Sequence, residues 1–200
     1  MIPIPKAVID LEGADLSNAS LERINFADAN LDGANLSCAC MDHANLVRAR
    51  LQRTNLAHAV LAHANLAHAY LEKANLAFAD LQDAMLPYAH LEEANLIAAN
   101  LSGTRAEDAA FRRANLSYAT LRKAVLASSD FRHASLVGAN LEGANITATK
   151  ALEIKVIDYV AESTEELLKK IDGRKVKLAT GKTFTLKTAK APLERVPMGT

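Results

Sequence analysis

The chain has 200 residues, which is enough for one ordinary domain with a small appendage. Its 23 basic and 23 acidic side chains give a formal net charge of zero, so charge gives no reason to expect binding to nucleic acid or to a membrane. Only two cysteines are present, which argues against a disulfide framework and favours a reducing, cytoplasmic compartment.

Residues 1–8, MIPIPKAV, precede any regular pattern and are expected to form an N-terminal edge. They lack a charged leader followed by an apolar run, so no signal peptide is predicted. No stretch of the chain approaches the roughly 18 apolar residues that suggest a membrane-spanning helix. Pro3 and Pro5 cannot donate backbone hydrogen bonds and are expected to blunt this edge against pairing with another chain.

A five-residue period runs through residues 9–149. Almost every fifth residue from Leu11 to Ile146 is large and apolar, and an alanine usually stands two residues before it. Five residues turn an α-helix by about 500°, so these side chains would coat every side of a helix. In a flat strand they would alternate between faces. A chain that bends once per five residues points all of them inward, which predicts a solenoid.

Asparagine precedes the apolar position mainly where the residue number ends in 5, as at Asn45, Asn55 and Asn65. Its side chain bonds nearby backbone groups and tolerates unusual backbone angles, so we expect it to shape the bend. Asparagines stacked on one another in successive bends are also expected to hydrogen-bond to each other.

The repeated Ala-Asn-Leu units, as at 64–66, resemble the A-(N/D)-L-x-x motif of the pentapeptide-repeat proteins. The resemblance covers about residues 11–149, within a repeat domain placed at 9–149. It implies an all-β solenoid, a right-handed quadrilateral β-helix with four repeats per coil and about seven coils.

The five-residue register ends near residue 150. We expect residues 150–190 to form a small α+β cap of β-α-β-β order: a strand at 152–160, a helix from the capping sequence at 163–166 to Gly173, and a hairpin of 175–180 with 183–188. Such a cap would cover one open end of the solenoid. Residues 191–200 are expected to be a flexible tail.

The segment 150–189, KALEIKVIDYV…TFTLKTA, is similar to the end of the protease domain of nodulation-efficiency-type membrane serine proteases of the ClpP class. In that family the segment follows the catalytic serine and lysine. No residue here matches the nucleophile. The resemblance implies a natural or engineered fusion in which the fragment serves as a cap.

Cys38, Cys40 and His58 are a weak candidate for a zinc site. In a 20-residue coil Cys38 would lie beside His58, with Cys40 close by, and zinc accepts both ligand types. These positions point outward, however, and C-x-C with scattered histidines is not a standard zinc spacing. We therefore predict a solvated surface without a metal or other cofactor. His90 and His133 have no evident partners.

No motif of an enzyme is present: we find no G-x-S-x-G, P-loop or dinucleotide fingerprint. A convex rod also offers no cleft in which catalytic groups could converge. We therefore predict that the chain is not an enzyme.

An irregular patch interrupts the repeat. One column of the coil loses its asparagines over three successive coils, and a second face carries exposed apolar residues. The pattern is consistent with a protein-contact surface, or with a degenerate repeat that has a small bend or void near Ala106. The candidate contact residues are Met85, Pro87, Tyr88, Arg105, Val125, Phe78, Ile97 and Tyr118.

The predicted function is a non-enzymatic structural or protein-interaction scaffold for an unidentified protein. The alternative is mimicry of DNA toward a topoisomerase, because an acidic column on a rod resembles the gyrase-binding members of this family, which are similar to duplex DNA in shape and charge. One outward column is acidic at Glu12, Asp32, Glu72 and Glu92, but turns basic at Arg112 and Arg132. A third alternative is a fusion remnant without a dedicated function. The sequence leaves open whether the chain forms a homodimer.

Overall fold

The computed structural model describes residues 8–146, 175–177 and 183–185. The chain forms two compact units, Met1–Val156 and Ile157–Thr200. In the described part of the chain, no helix is long and apolar enough to cross a membrane.

Each five-residue unit of residues 8–146 contains one tight turn. The alanine N–H bonds back to the carbonyl of the apolar residue three positions earlier, as from Ala64 to Leu61 at 3.1 Å. The residue just before that alanine has a φ between +54° and +70° in every unit. A left-handed third residue is characteristic of a type II turn. The predicted bend once per five residues is therefore present.

The turn places its unusual backbone angle elsewhere than the sequence suggested. The positive φ falls three residues after the asparagine position, at His58 rather than Asn55, for example. Most residues at this position are not glycine, although a left-handed conformation costs an ordinary residue roughly 1–2 kcal/mol. Such conformations persist only where the surrounding hydrogen bonds over-determine them.

Successive coils pair through parallel bridges between residues 20 apart. The bridges begin with Asp10↔Asn30 and continue at every fifth residue to Val125↔Asn145. Twenty residues contain four units, so each coil has four sides. The strands of this region are reduced to single bridging residues.

In residues 55–59 all five backbone N–H groups of the unit are bonded. Three of them bond carbonyls of the neighbouring coils, one closes the turn, and one is accepted by the asparagine side chain. The bonds are Asn55 N–Ala34 O 2.9 Å, Leu56 N–Asn75 O 2.7 Å, Ala57 N–Asn55 Oδ1 3.3 Å, His58 N–Ala77 O 3.0 Å and Ala59 N–Leu56 O 3.1 Å. The asparagine therefore bonds a nearby N–H, as expected.

Asparagine side chains also link the coils, which was the second expected role. Nδ2 of Asn55 donates to Oδ1 of Asn35 at 3.0 Å. In the same way Asn75 donates to Asn55 at 3.1 Å, and Asn95 donates to Asn75 at 3.0 Å. The amides of Asn55 and Asn75 thus each donate to the coil before and accept from the coil after.

The core is a stack of the inward apolar and alanine positions, fully buried from Leu31 to Leu121. Thr54, Thr104 and Ser129 replace the alanine and stay buried because each hydroxyl donates to a backbone carbonyl. Phe111 and Phe131 stack inside the core with ring centroids 4.8 Å apart. The apolar side chains nearest the two ends, such as Leu11 and Leu141, are only partly buried.

In the second unit, strand β1 (Lys175–Lys177) pairs antiparallel with strand β2 (Thr183–Thr185), and Val176 lies opposite Phe184. This agrees with the hairpin predicted there, as far as the described residues extend. The predicted strand at 152–160, the helix from 163 and the tail at 191–200 lie outside the described residues, as do Pro3 and Pro5 of the N-terminal edge.

Candidate protein-contact faces

The predicted contact residues fall on two sides of the coil. Met85, Arg105 and Val125 are consecutive members of one bridge ladder, and Pro87 and Tyr88 lie in the same unit as Met85. Positions ten residues further round a 20-residue coil lie on the opposite side. Phe78, Ile97 and Tyr118 occupy that side. We call the first set the Met85 face and the second set the Phe78 face.

The Met85 face combines apolar and charged groups. Met85 is 39% exposed and Tyr88 is 51% exposed. The Tyr88 ring stacks on His68 with centroids 5.0 Å apart and an interplanar angle of 6°. Arg105 extends to Glu107, with Nη2 3.0 Å from Oε1. The face thus offers a fixed aromatic ring beside an ion pair.

The structure explains why proline occurs at position 87, which the sequence analysis missed. It occupies the position whose N–H normally bonds the asparagine side chain, and in this unit Met85 replaces the asparagine. Proline has no N–H and therefore needs no acceptor, and it is favoured at the second position of a type II turn. The signal was available in the sequence, because the loss of asparagine and the gain of proline are two residues apart.

The backbone passes Ala106 without interruption. Ala106 N bonds Val125 O and Asp108 N bonds Ala127 O, both at 2.9 Å. The bend proposed for a degenerate repeat is absent from these hydrogen bonds. The irregularity is therefore confined to side chains.

The Phe78 face is more apolar. Phe78 is 56% exposed and stacks on His58 at 5.0 Å, while Tyr118 is 67% exposed. The Tyr118 ring lies over Gly138, where an added Cβ would come within 2.7 Å of a ring carbon. Glycine at 138 therefore leaves room for the exposed tyrosine ring.

Cys38, Cys40 and His58 do not form one ligand group among the residues described. Cys38 is exposed, and His58 stacks on Phe78. The Cys40 thiol hydrogen-bonds the Glu22 carboxylate, which raises the pKa of Cys40, and burial raises it further. A raised pKa disfavours the thiolate that would bind zinc.

Two other groups bring metal-ligating atoms together. Asp42, His43 and His63 form one, in which the two imidazoles are exposed and stack at 4.8 Å. Glu72, His90 and Glu92 form the other, and all three residues are half-buried. His90 also stacks on Tyr70 at 5.2 Å, so the expectation that it has no partner is wrong. Tyr70 lies 20 residues before His90, so the coil period could have revealed this contact.

The acidic column is partly neutralised by arginines. Asp32 pairs with Arg50, and Glu92 Oε1 accepts a hydrogen bond from Arg112 Nη2 at 2.8 Å. A surface depression of about 380 Å³ follows at the basic end of the column. It is lined by Glu92, Glu93, Arg112, Arg113, Arg132 and His133.

Comparison with solved structures identifies pentapeptide-repeat proteins of cyanobacteria. HetL from Nostoc sp. strain PCC 7120, which is involved in the regulation of heterocyst differentiation, is 34% identical; the match covers 68% of this chain and 73% of HetL, with a TM-score of 0.39. Rfr23 from Cyanothece 51142 is 25% identical over 68% of this chain and 86% of Rfr23, with a TM-score of 0.34.

A trypsin-treated form of QnrB1, a plasmid-mediated fluoroquinolone resistance protein, is 17% identical over 74% of this chain and 86% of QnrB1, with a TM-score of 0.30. The sequence matches no curated protein.

The family model for pentapeptide repeats (8 copies) matches residues 9–46, 44–77, 74–109 and 109–147. These segments cover almost all of the four-sided coil and more than half of the chain. Proteins of this family form right-handed quadrilateral β-helices. The chain therefore belongs to the pentapeptide-repeat family.

Proposed function

We propose that the chain is a non-enzymatic scaffold that binds another protein through the Met85 face or the Phe78 face. The supporting observation is the exposure of Phe78 and Tyr118 on one side and of Met85 and Tyr88 on the other. Aromatic residues and methionine are enriched in protein interfaces. Phe78, Tyr118, Met85 and Tyr88 lie outside the stack of buried apolar and alanine side chains that forms the core.

The proposal includes a rod of about seven coils, a cap formed by residues 150–190, and a cytoplasmic location. The repeat spacing of 20 residues from Asp10 to Asn145 supports the number of coils. The antiparallel pair of β1 and β2 supports an ordered C-terminal unit.

Site-specific photo-crosslinking in cells that express the chain tests the scaffold function. A benzophenone amino acid is placed at Tyr88, at Tyr118, or at Arg53, which occupies the same turn position on an adjacent side. We expect one defined protein adduct from Tyr88 or Tyr118 and none from Arg53. Absence of adducts from both tyrosines, or the same adducts from Arg53, would contradict the proposal.

The second candidate is binding to a topoisomerase by mimicry of DNA. Glu12, Asp32, Glu72 and Glu92 follow one outward column, which favours this function, but Arg50 and Arg112 neutralise part of that charge. DNA carries one negative charge per roughly 1.7 Å of its axis, which this column does not approach. The scaffold is therefore the better-supported function.

A gyrase supercoiling assay, with and without a fluoroquinolone, separates the two functions. If the chain is a scaffold for another protein, supercoiling stays unchanged at a large molar excess of the chain. Inhibition of supercoiling, or protection from the drug, would favour mimicry. A fusion remnant, the third alternative, would give neither an adduct nor an effect on gyrase.

A further inference from the structure

Glu72 and Glu92 are stacked neighbours in the acidic column, one coil apart. Both carboxylates have a buried oxygen, Oε2, that has no hydrogen-bond partner. Two like charges at this spacing repel each other, and a buried charged oxygen without a partner is costly. A cation or a proton donor between the two Oε2 atoms would stabilise the pair.

His90 completes the cluster. Its Nδ1 lies 3.9 Å from Oε2 of Glu92, and the ligand atoms of Glu72, His90 and Glu92 all lie within 4.8 Å of one another. The Tyr70 ring stacks on the imidazole and holds its plane. Arg112 binds the other oxygen of Glu92, Oε1, and so leaves Oε2 directed toward the cluster.

The donor set has the chemistry of a metal site. Imidazole nitrogen and carboxylate oxygen bind zinc at about 2.0–2.2 Å, which places two ligands of a tetrahedral ion roughly 3.4 Å apart. Binding would require the two glutamate side chains to rotate so that the three ligand atoms, now within 4.8 Å of one another, reach that separation. All three residues are only half-buried, so an ion can reach the cluster from solvent.

We infer that Glu72, His90 and Glu92 form a binding site for a divalent transition-metal ion of the zinc type. The ion would neutralise the stacked carboxylates and tie two adjacent coils together. Calcium and magnesium prefer sites made of oxygen alone, so the imidazole favours zinc over both. Water would occupy the remaining coordination position.

Isothermal titration of the metal-free full chain with zinc chloride tests the site. We expect one zinc equivalent whose Kd rises at least about tenfold in Glu72→Gln and in His90→Ala, since loss of even an outer-shell partner costs about 10–100-fold. Both changes suit their positions, because Gln52 and Ala110 occupy the same columns in this chain. Circular dichroism checks that the variants fold.

Two controls separate this site from other zinc ligands. His63→Gln alters the exposed Asp42–His43–His63 group, and Cys38→Ser with Cys40→Ser removes the thiols. We expect both variants to bind zinc as the wild type does, and the wild type to bind calcium at least tenfold more weakly. Wild-type affinity in Glu72→Gln and His90→Ala, or no zinc binding by the wild type, would overturn the inference.

Discussion

At the residue scale, the notable feature is the left-handed position of each turn. It is occupied by histidine, arginine, lysine and aromatic residues as well as glycine. These side chains project from the corners of the coil, where stacking with the residue 20 positions away is possible, as for His43 with His63. The corner thus accepts varied chemistry, and the backbone strain is offset by hydrogen bonds on both sides.

The strain at the corner predicts the effect of a β-branched residue. We expect Arg53→Val to lower the free energy of unfolding by roughly 1–2 kcal/mol more than Gln52→Val, because valine is a poor fit to positive φ. Gln52 precedes Arg53 in the same turn, and valine occurs naturally at the equivalent positions 47 and 137. Urea unfolding measures the difference. Equal midpoints and slopes for the two variants would contradict the predicted strain at the corner.

At the element scale, the unit of stability is the five-residue turn with its complete set of hydrogen bonds. Four of its N–H groups depend on backbone acceptors that any sequence supplies. Where asparagine or aspartate begins the unit, its side chain accepts a hydrogen bond from the fifth, as in Asn55. Substitution at that position therefore affects the residue two places later.

This dependence predicts coupling between Met85 and Pro87. Pro87→Ala is expected to destabilise the chain by about 1 kcal/mol, because the new N–H lacks an acceptor and the unfolded chain gains freedom. Adding Met85→Asn should recover most of that loss, since the amide oxygen accepts this N–H. Met85→Asn alone should raise the free energy of unfolding by less, because Pro87 has no N–H to donate to the new amide. A double-mutant cycle by urea unfolding measures the coupling, and strict additivity would disprove it.

At the scale of the whole molecule, stability comes from contact between neighbouring coils. Each inward leucine touches the coil before and the coil after, and its burial stabilises the fold by roughly 2 kcal/mol. The apolar residues nearest the two ends of the described coils, such as Leu11 and Leu141, are only partly buried. A defect in the middle therefore disrupts contacts in both directions.

We expect Leu66→Asp to unfold several coils, because it places an unpaired charge in the fully buried core. The matched control is His68→Asp in the same unit, where aspartate occurs naturally at the equivalent positions 28, 83 and 108. Circular dichroism melts should show a lost or strongly lowered transition for Leu66→Asp alone. A wild-type melt for that variant would be incompatible with the solenoid core.

The repeat itself determined the bend, the inward leucines and the 20-residue coil, because only a chain that turns once per five residues buries every fifth side chain. The pairing of asparagines 20 apart, such as Asn55 with Asn75, followed from that period. The position of the left-handed residue could not be predicted from the sequence, because the residues that occupy it have no common side-chain chemistry. The convergence of Glu72, His90 and Glu92 was decided only by the tertiary structure, since side-chain rotation sets which outward groups of adjacent coils meet.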